Sequence, residues 1–435
     1  MSKSFNIKNI IESADLISTY GKIKKVAGIT IKATGPKNVK IGDVCRIIID
    51  NGFVESEVVG FDEDGVVLMP LGVLDGIKSA SIVKSTNRGL NVPVSYDMLG
   101  RVVNALGKPI DENGAISVNE FYPIYPKPVS PLKRKIIDEP ITLGIKSIDG
   151  LLTIGKGQRI GIFAGSGVGK STLMGMIARN TNADINVIAL IGERGREVKE
   201  FIEKDLGAEG LKRSVVVVAT SDEAPLLRRE GAFVATSIAE FFKNQGKDVM
   251  FMMDSVTRFA MAQREIGLAI GEPPTTKGYT PSVFTLLPRL MERAGNFDTG
   301  SITAIYTVLV DGDDLMEPIA DSSRSILDGH IVLSRKIAEE GLYPAVDVLK
   351  SISRLMNSVA SDKHKSLSAK IKDVLATYEK SEDLINIGAY KNGSNRKIDE
   401  SIKYIDKVRN FISQKVNESY TMEETILLME KIFEE

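Results

Sequence analysis

The stretch Ala164-Gly-Ser-Gly-Val-Gly-Lys170-Ser171-Thr172 follows the apolar run Arg159-Ile-Gly-Ile-Phe163 and precedes Leu173-Met-Gly-Met-Ile-Ala178. A strand, a glycine-rich turn and a helix, in that order, form the arrangement that cradles phosphates. Gly165, Gly167 and Gly169 permit dihedrals that turn successive N–H groups inward, and the following helix adds the positive end of its dipole. With Ser166 and Val168 between the glycines, the loop offers a run of backbone donors. Lys170 is spaced to reach the β- and γ-phosphates, Ser171 to place its hydroxyl on Mg²⁺, and Thr172 completes the motif. The stretch therefore asks for ATP and Mg²⁺. Ala164 departs from the strict G-x-x-x-x-G-K-[ST] pattern, which has Gly there, although a small residue suits a tight turn. A glycine turn without nucleotide is the alternative, and the strand before and helix after weigh against it.

The 435 residues predict two or three domains, and 43% hydrophobic with 26% charged residues is ordinary for a soluble protein. A net charge of −1 gives no bulk attraction to nucleic acid or anionic membrane. Cys45 stands alone, which excludes an intramolecular disulfide, and with only His330 and His364 it leaves little for a zinc site. A reducing cytoplasm fits. The start, Met1-Ser-Lys-Ser-Phe-Asn-Ile, does not read as a leader, and no apolar stretch approaches membrane-spanning length.

Residues 5 to 17 carry Phe5, Ile7, Ile10, Ile11, Ala14, Leu16 and Ile17 in an approximate helical stripe, suited to its own domain or to a partner. From Val26 to Val83 come short β-prone runs punctuated by Asp50-Asn-Gly52 and Asp62-Glu-Asp-Gly65, predicting a small closed barrel. Its only rings there are Phe53 and Phe61, too few for a nucleic-acid-stacking surface. Pro123 to Pro131 reads as a connector. The runs Asn186–Ile191, Ser214–Ala219, Asp248–Met253 and Ser301–Val308 look like buried parallel strands, with helices over Ala232–Asn244 and Ser255–Ile266 between them. Ligands of such a sheet sit outside the strands' carboxyl ends. Beyond Val359 the apolar spacing turns helical, at Ile398 to Ile412 and Thr421 to Phe433.

Hydrolysing a γ-phosphate needs positioning, charge neutralisation and a group that orients water. Met250-Phe-Met-Met-Asp254 is an apolar strand ending in one carboxylate, the place for the acid that holds the Mg²⁺ shell. Glu193, in Gly192-Glu-Arg-Gly-Arg-Glu197, follows another strand and could polarise water; taken alone it could equally belong to a solvated charge cluster.

Gly192-Glu-Arg-Gly-Arg-Glu197, the phosphate loop and Leu342-Tyr-Pro-Ala-Val-Asp347 together resemble the catalytic β subunit of rotary ATP synthases. The resemblance implies that Glu193 is the catalytic carboxylate, that Glu197 belongs to the Mg²⁺ surroundings, that Arg194 faces the γ-phosphate and that Tyr343 lies against adenine. It implies also that Arg354, in Ser351-Ile-Ser-Arg-Leu355, is inserted into a neighbouring subunit's site. Within the superfamily, Ala260 to Phe284 and Leu287-Pro-Arg-Leu-Met-Glu-Arg-Ala-Gly295 are similar to the type III export ATPases, and the acidic Asp-Glu-Leu-Ser-Glu-Glu-Asp segment of the rotary β subunit is missing. Leu99 to Pro109 and Ser381 to Asn395 resemble the flagellum-specific members rather than the virulence ones.

The resemblance implies an α/β protein with a RecA-like P-loop core around a parallel sheet, an N-terminal small β-barrel and a C-terminal α-helical domain. The expected divisions are 1–20 for a partner-docking helix, 21–90 for the barrel, 91–358 for the ATPase core and 359–435 for the helical domain. The family's working form is a cytoplasmic homohexamer at the inner face of the cell membrane. Its N-terminal helix docks on a stalk-like negative regulator, a coiled-coil stalk protein enters the pore, and chaperones, cargo and the membrane export gate meet the ring; nucleic acid is not among the partners. Two rivals share the core: an RNA-dependent hexameric helicase, whose aromatic and basic features are not found here, and a non-catalytic nucleotide-binding ring subunit, against which Glu193 speaks.

Overall fold

The computed structural model describes residues 19 to 434 except Asp64, Asn119, Asp311 and Asp313. The expected N-terminal helix therefore lies outside the described residues. Six strands, β1 (Tyr20–Ala27), β2 (Thr30–Ala33), β3 (Asp43–Ile49), β4 (Gly52–Asp62), β5 (Gly65–Pro70) and β6 (Ile82–Gly89), close a barrel in the order β1-β2-β5-β4-β3-β6. Gly28 sits at φ +57° and turns the chain between β1 and β2. β1 begins before Val26 and escapes a hydrophobicity reading because six of its eight residues are exposed.

Ile23, Ile31, Cys45, Ile47, Val58, Leu68 and Val83 fill the barrel. On its outer side Val44, Val59, Val67 and Met69 pack against Leu226 and Ile266 of the core. Strands β3, β4 and β5 thus bury both faces where they meet the core, which explains the unbroken apolar run of β5.

That junction also buries charge. Arg229, on the Pro225–Asn244 helix, donates from Nη2 to Glu57 Oε1 of β4 (2.6 Å) and from Nε to Glu230 Oε1 (2.5 Å). Tyr125, from the connector, donates to Glu230 Oε1 at 2.7 Å. Burial, with the Glu230 charge beside it and Arg229 opposing, pushes the Glu57 carboxyl up to about 7. Two acids depend on one guanidinium, so Arg229→Met is expected to cost about 3–5 kcal/mol of stability. Urea unfolding checks this, and a loss below about 1 kcal/mol would show that the junction relaxes around the acids.

Among the described residues the core sheet has nine strands. Eight run in the order Val346–Ser353, Gly329–Leu333, Arg159–Ala164, Gly300–Leu309, Asp248–Asp254, Ile185–Glu193, Ser214–Thr220 and Arg101–Asn104, and Gly295–Phe297 pairs with Gly300–Leu309. All neighbours are parallel except at Val346–Ser353 and Gly295–Phe297. These two and the edge strand Arg101–Asn104 are short or half-exposed and carry no apolar run to announce them.

Alternate strand residues serve opposite faces. Phe163, Val187, Ala189, Phe251 and Met253 pack under the Pro225–Asn244 and Val256–Ala269 helices. Ile162, Ile188, Leu190, Met250 and Met252 pack with Leu173 and Ile177 of the Lys170–Asn180 helix, in one cluster with Phe411, Ile412, Met429 and Ile432. The three terminal helices, Asp362–Asn386, Arg396–Ile412 and Met422–Phe433, therefore share a core with the helix that follows the phosphate loop. No described helix is long and apolar enough to cross a membrane.

Candidate functional site

The strand Arg159–Ala164 is buried between two parallel neighbours, and its last residue pairs with Leu309 and Leu333. The Ala164 methyl group is wholly buried, and its carbonyl accepts from Val310 N at 3.1 Å. The chain then turns through Gly167 (φ +80°) and Gly169 (φ +87°), and Gly169 caps the Lys170–Asn180 helix. Both glycines occupy left-handed backbone, so their freedom is required here. Val168 is buried and anchors the loop, while Ser166 presents its carbonyl to Arg335 Nη2 at 3.4 Å. The helix start leaves N–H groups and the positive dipole end toward the loop's concave side.

Lys170 and Asp254 meet at this point. Lys170 Nζ donates to Asp254 Oδ1 at 2.5 Å, and Thr307 Oγ1 donates to the same oxygen at 2.7 Å. Asp254 ends its strand as a buried carboxylate beside the loop. Ser171 heads the helix one residue after Lys170, and Thr172 bonds the Asp205 carboxylate from the next turn region.

Glu193 ends the adjacent strand Ile185–Glu193, where the register slips after Ile191. Its carboxyl is pushed up to about 7, first by burial, then by the Asp254 charge, with Lys170 opposing and Glu197 bonded to it. Gly192 (φ +72°) makes this possible: a Cβ there would stand 2.7 Å from the Cβ of Arg258. Arg194 is mostly exposed and reaches Glu197 Oε1 at 3.4 Å. Arg196 pairs with Glu197 and, at 2.7 Å, with Glu200.

Tyr343 comes from the segment that leads into the edge strand Val346–Ser353, two strands from the phosphate loop. Its ring lies 3.6 Å from where a Gly169 Cβ would stand, and its carbonyl accepts from Gln414 N at 2.8 Å, tying the loop to the helical end. The ring is half-exposed and presents a flat apolar face beside the phosphate loop. Arg354 is not brought to this group. The strand Val346–Ser353 runs antiparallel, with Val346 opposite Leu333 and Ser353 opposite Gly329, so Arg354 emerges at the opposite end of the sheet, where the parallel strands begin. The five residues Gly329–Leu333 of the paired strand separate the two ends, about 13 Å.

Two residues at the site were not legible in advance. Thr307 lay inside a strand read as apolar; a hydroxyl at a wholly buried strand position was the available signal. Arg258, packed over Gly192 with Nε buried and unbonded, had none.

The donor set fits a divalent cation held jointly with phosphate. Among the described residues no three acidic, histidine or cysteine side chains could hold a metal by themselves. A hydroxyl at Ser171 and a carboxylate at Asp254 match an ion that keeps water and phosphate oxygens as its other ligands.

The description "ATP synthase alpha/beta family, nucleotide-binding domain" belongs to the family model that matches residues 144–353, and "T3SS EscN ATPase C-terminal domain" to the one that matches 360–431. Over 429 residues the chain is 55% identical to the flagellum-specific ATP synthase of Bacillus subtilis, 98% of this chain and 97% of that one. Over 415 residues it is 49% identical to the type 3 secretion system ATPase of Xanthomonas euvesicatoria, 95% and 94% of the two chains. The assembled ATPase EscN of the enteropathogenic E. coli type III secretion system matches with a TM-score of 0.90 at 46% identity, over 95% of this chain and 99% of that one. The same ATPase in complex with its central stalk EscO matches at 0.88, with the same identity and coverage. The chain belongs to the ATP synthase α/β family, among the flagellum-specific and type III secretion ATPases.

Proposed function

We propose that this ATPase energises flagellar protein export, hydrolysing Mg²⁺–ATP to release and unfold cargo delivered by chaperones. The observation that carries the reading is the convergence of Lys170, Asp254 and Glu193 at the carboxyl ends of three core strands, beside a glycine loop overlain by Tyr343.

In this reading Gly165 to Thr172 hold the phosphates by backbone donors, with Ala164 as the strand-end hinge. Lys170 binds the β- and γ-phosphates. Ser171 and Asp254 hold Mg²⁺, with Glu197 in its surroundings; when bound, the ion neutralises developing phosphate charge. Glu193 takes the proton of the attacking water, and Arg194 faces the γ-phosphate. The position of Arg354 at the opposite end of the sheet suits an arginine that completes a neighbour's site. The working form is a homohexamer around a coiled-coil stalk, a reading supported by the relative EscN, which is assembled and in complex with its central stalk EscO. Residues 1–20 dock on a stalk-like negative regulator, and residues 359–435 meet chaperones and cargo at the cytoplasmic face of the membrane export gate.

Tyr343 stacks on adenine. Tyr343→Ala should raise the KM for ATP about 5- to 150-fold with kcat nearly kept, since a base–aromatic stack is worth about 1–3 kcal/mol. An unchanged KM in steady-state assays would remove Tyr343 from the base site.

Deleting the gene in its host and scoring swimming and secreted filament protein tests the export role. Wild-type copies restore both, and Glu193→Gln copies do not. Normal swimming in the deletion strain would transfer the reading to a virulence-type secretion system; the Xanthomonas relative is a type 3 secretion system ATPase.

A further inference from the structure

We infer that Asp328 is the positioning residue of the arginine each subunit lends to its neighbour, clamping the Ser353–Arg354 turn to the foot of the strand that carries the subunit's own phosphate loop. The inference rests on the reading of Arg354 given above. Arg159 opens the strand Arg159–Ala164, and four hydrogen bonds join it to Asp328. Asp328 N donates to the Arg159 carbonyl (2.9 Å); Arg159 N and Nε donate to Oδ2 (3.1 and 3.0 Å), and Nη2 donates to Oδ1 (3.1 Å). The carbonyl of Asp328 accepts from Arg354 N at 3.1 Å and from Gln158 Nε2 at 3.0 Å. Gln158 Nε2 also donates to Ser353 Oγ at 3.1 Å, and Arg354 Nη2 donates to the Arg324 carbonyl at 3.3 Å.

Two consecutive residues at the start of the loop-bearing strand thus hold two consecutive residues at the arginine turn, with Asp328 between them. The strand is paired on both sides and does not stretch. A bidentate, charge-assisted pair is the stiffest tie available to two side chains. Glu292 also pairs with Arg159 (2.5 Å), so loss of the Asp328 charge leaves the guanidinium partnered. What Asp328 adds is the placement of Arg354, and a misplacement of about 1 Å at such a group can cost about 10²-fold.

The test is Asp328→Asn, assayed alone and in rings assembled from equal amounts with Glu193→Gln. Alone, the variant should assemble, keep its KM for ATP and lose about 10²-fold in kcat. In mixed rings an Asp328→Asn site that faces a Glu193→Gln subunit receives a well-held arginine. Half of the sites and half of the neighbours qualify, so about a quarter of wild-type activity should return. Arg354→Ala mixed with Glu193→Gln runs beside it and should be rescued alike. An Asp328→Asn protein as active as wild type overturns the inference, and so does one that stays silent in mixed rings where Arg354→Ala is rescued. If Arg354→Ala is not rescued either, the trans role of Arg354 fails and the inference with it. Should Asp328→Asn not assemble, Arg159→Gln replaces it from the other side of the clamp with the same expectations.

Discussion

Glu193→Gln should bind ATP within a few-fold of wild type and lose about 10²- to 10⁴-fold in turnover, the range removed with a general base. The carboxyl closes a strand beside Asp254, where burial and the neighbouring acid charge push it up to about 7. A base titrating near the working pH combines availability with driving force. Glutamine keeps the shape and one acceptor oxygen but takes no proton. Nucleotide binding by fluorescence and phosphate release measured side by side separate the two effects. Hydrolysis within tenfold of wild type would assign the water to another group.

Arg354→Ala should lower kcat by about 10³- to 10⁵-fold, the worth of an arginine supplied in trans to a transferring phosphoryl group. Within its own chain the residue stands at the opposite end of the sheet from the phosphate loop, its guanidinium on the Arg324 carbonyl. A cis role in phosphate binding is thus remote, and the affinity of an isolated subunit for ATP should stay unchanged. Unaltered turnover in a ring built only of Arg354→Ala subunits would contradict the assignment.

The phosphate loop, Lys170 and Asp254 were legible in the amino-acid order because each depends on a local pattern: glycines before a helix, or an apolar strand with one terminal acid. Tyr343 and Arg354 depended on resemblance, since a tyrosine in a loop and an arginine after a half-exposed strand carry no local signal. The antiparallel strand between them explains why: it holds the tyrosine at one end of the sheet and the arginine at the other, and only three of its eight residues are buried. Thr307 and Arg258 act through contacts between strands and helices distant in sequence, which no periodicity reports. β1 was missed for the opposite reason, because its lysines face solvent while Gly21 and Ile23 face inward. The closed barrel was legible through its short β-prone runs and the Gly, Asn and Asp turns between them, and the terminal helices through their spacing. That those helices share a core with the helix after the phosphate loop was not, because it rests on which surfaces meet.

The central claim is that a complete site needs two subunits. Phosphate release per subunit, measured against protein concentration together with sedimentation, tests it most directly. The account predicts that turnover is near zero where the chain is monomeric and rises in step with the ring fraction, while each monomer still binds ATP. Full turnover by sedimenting monomers would contradict it.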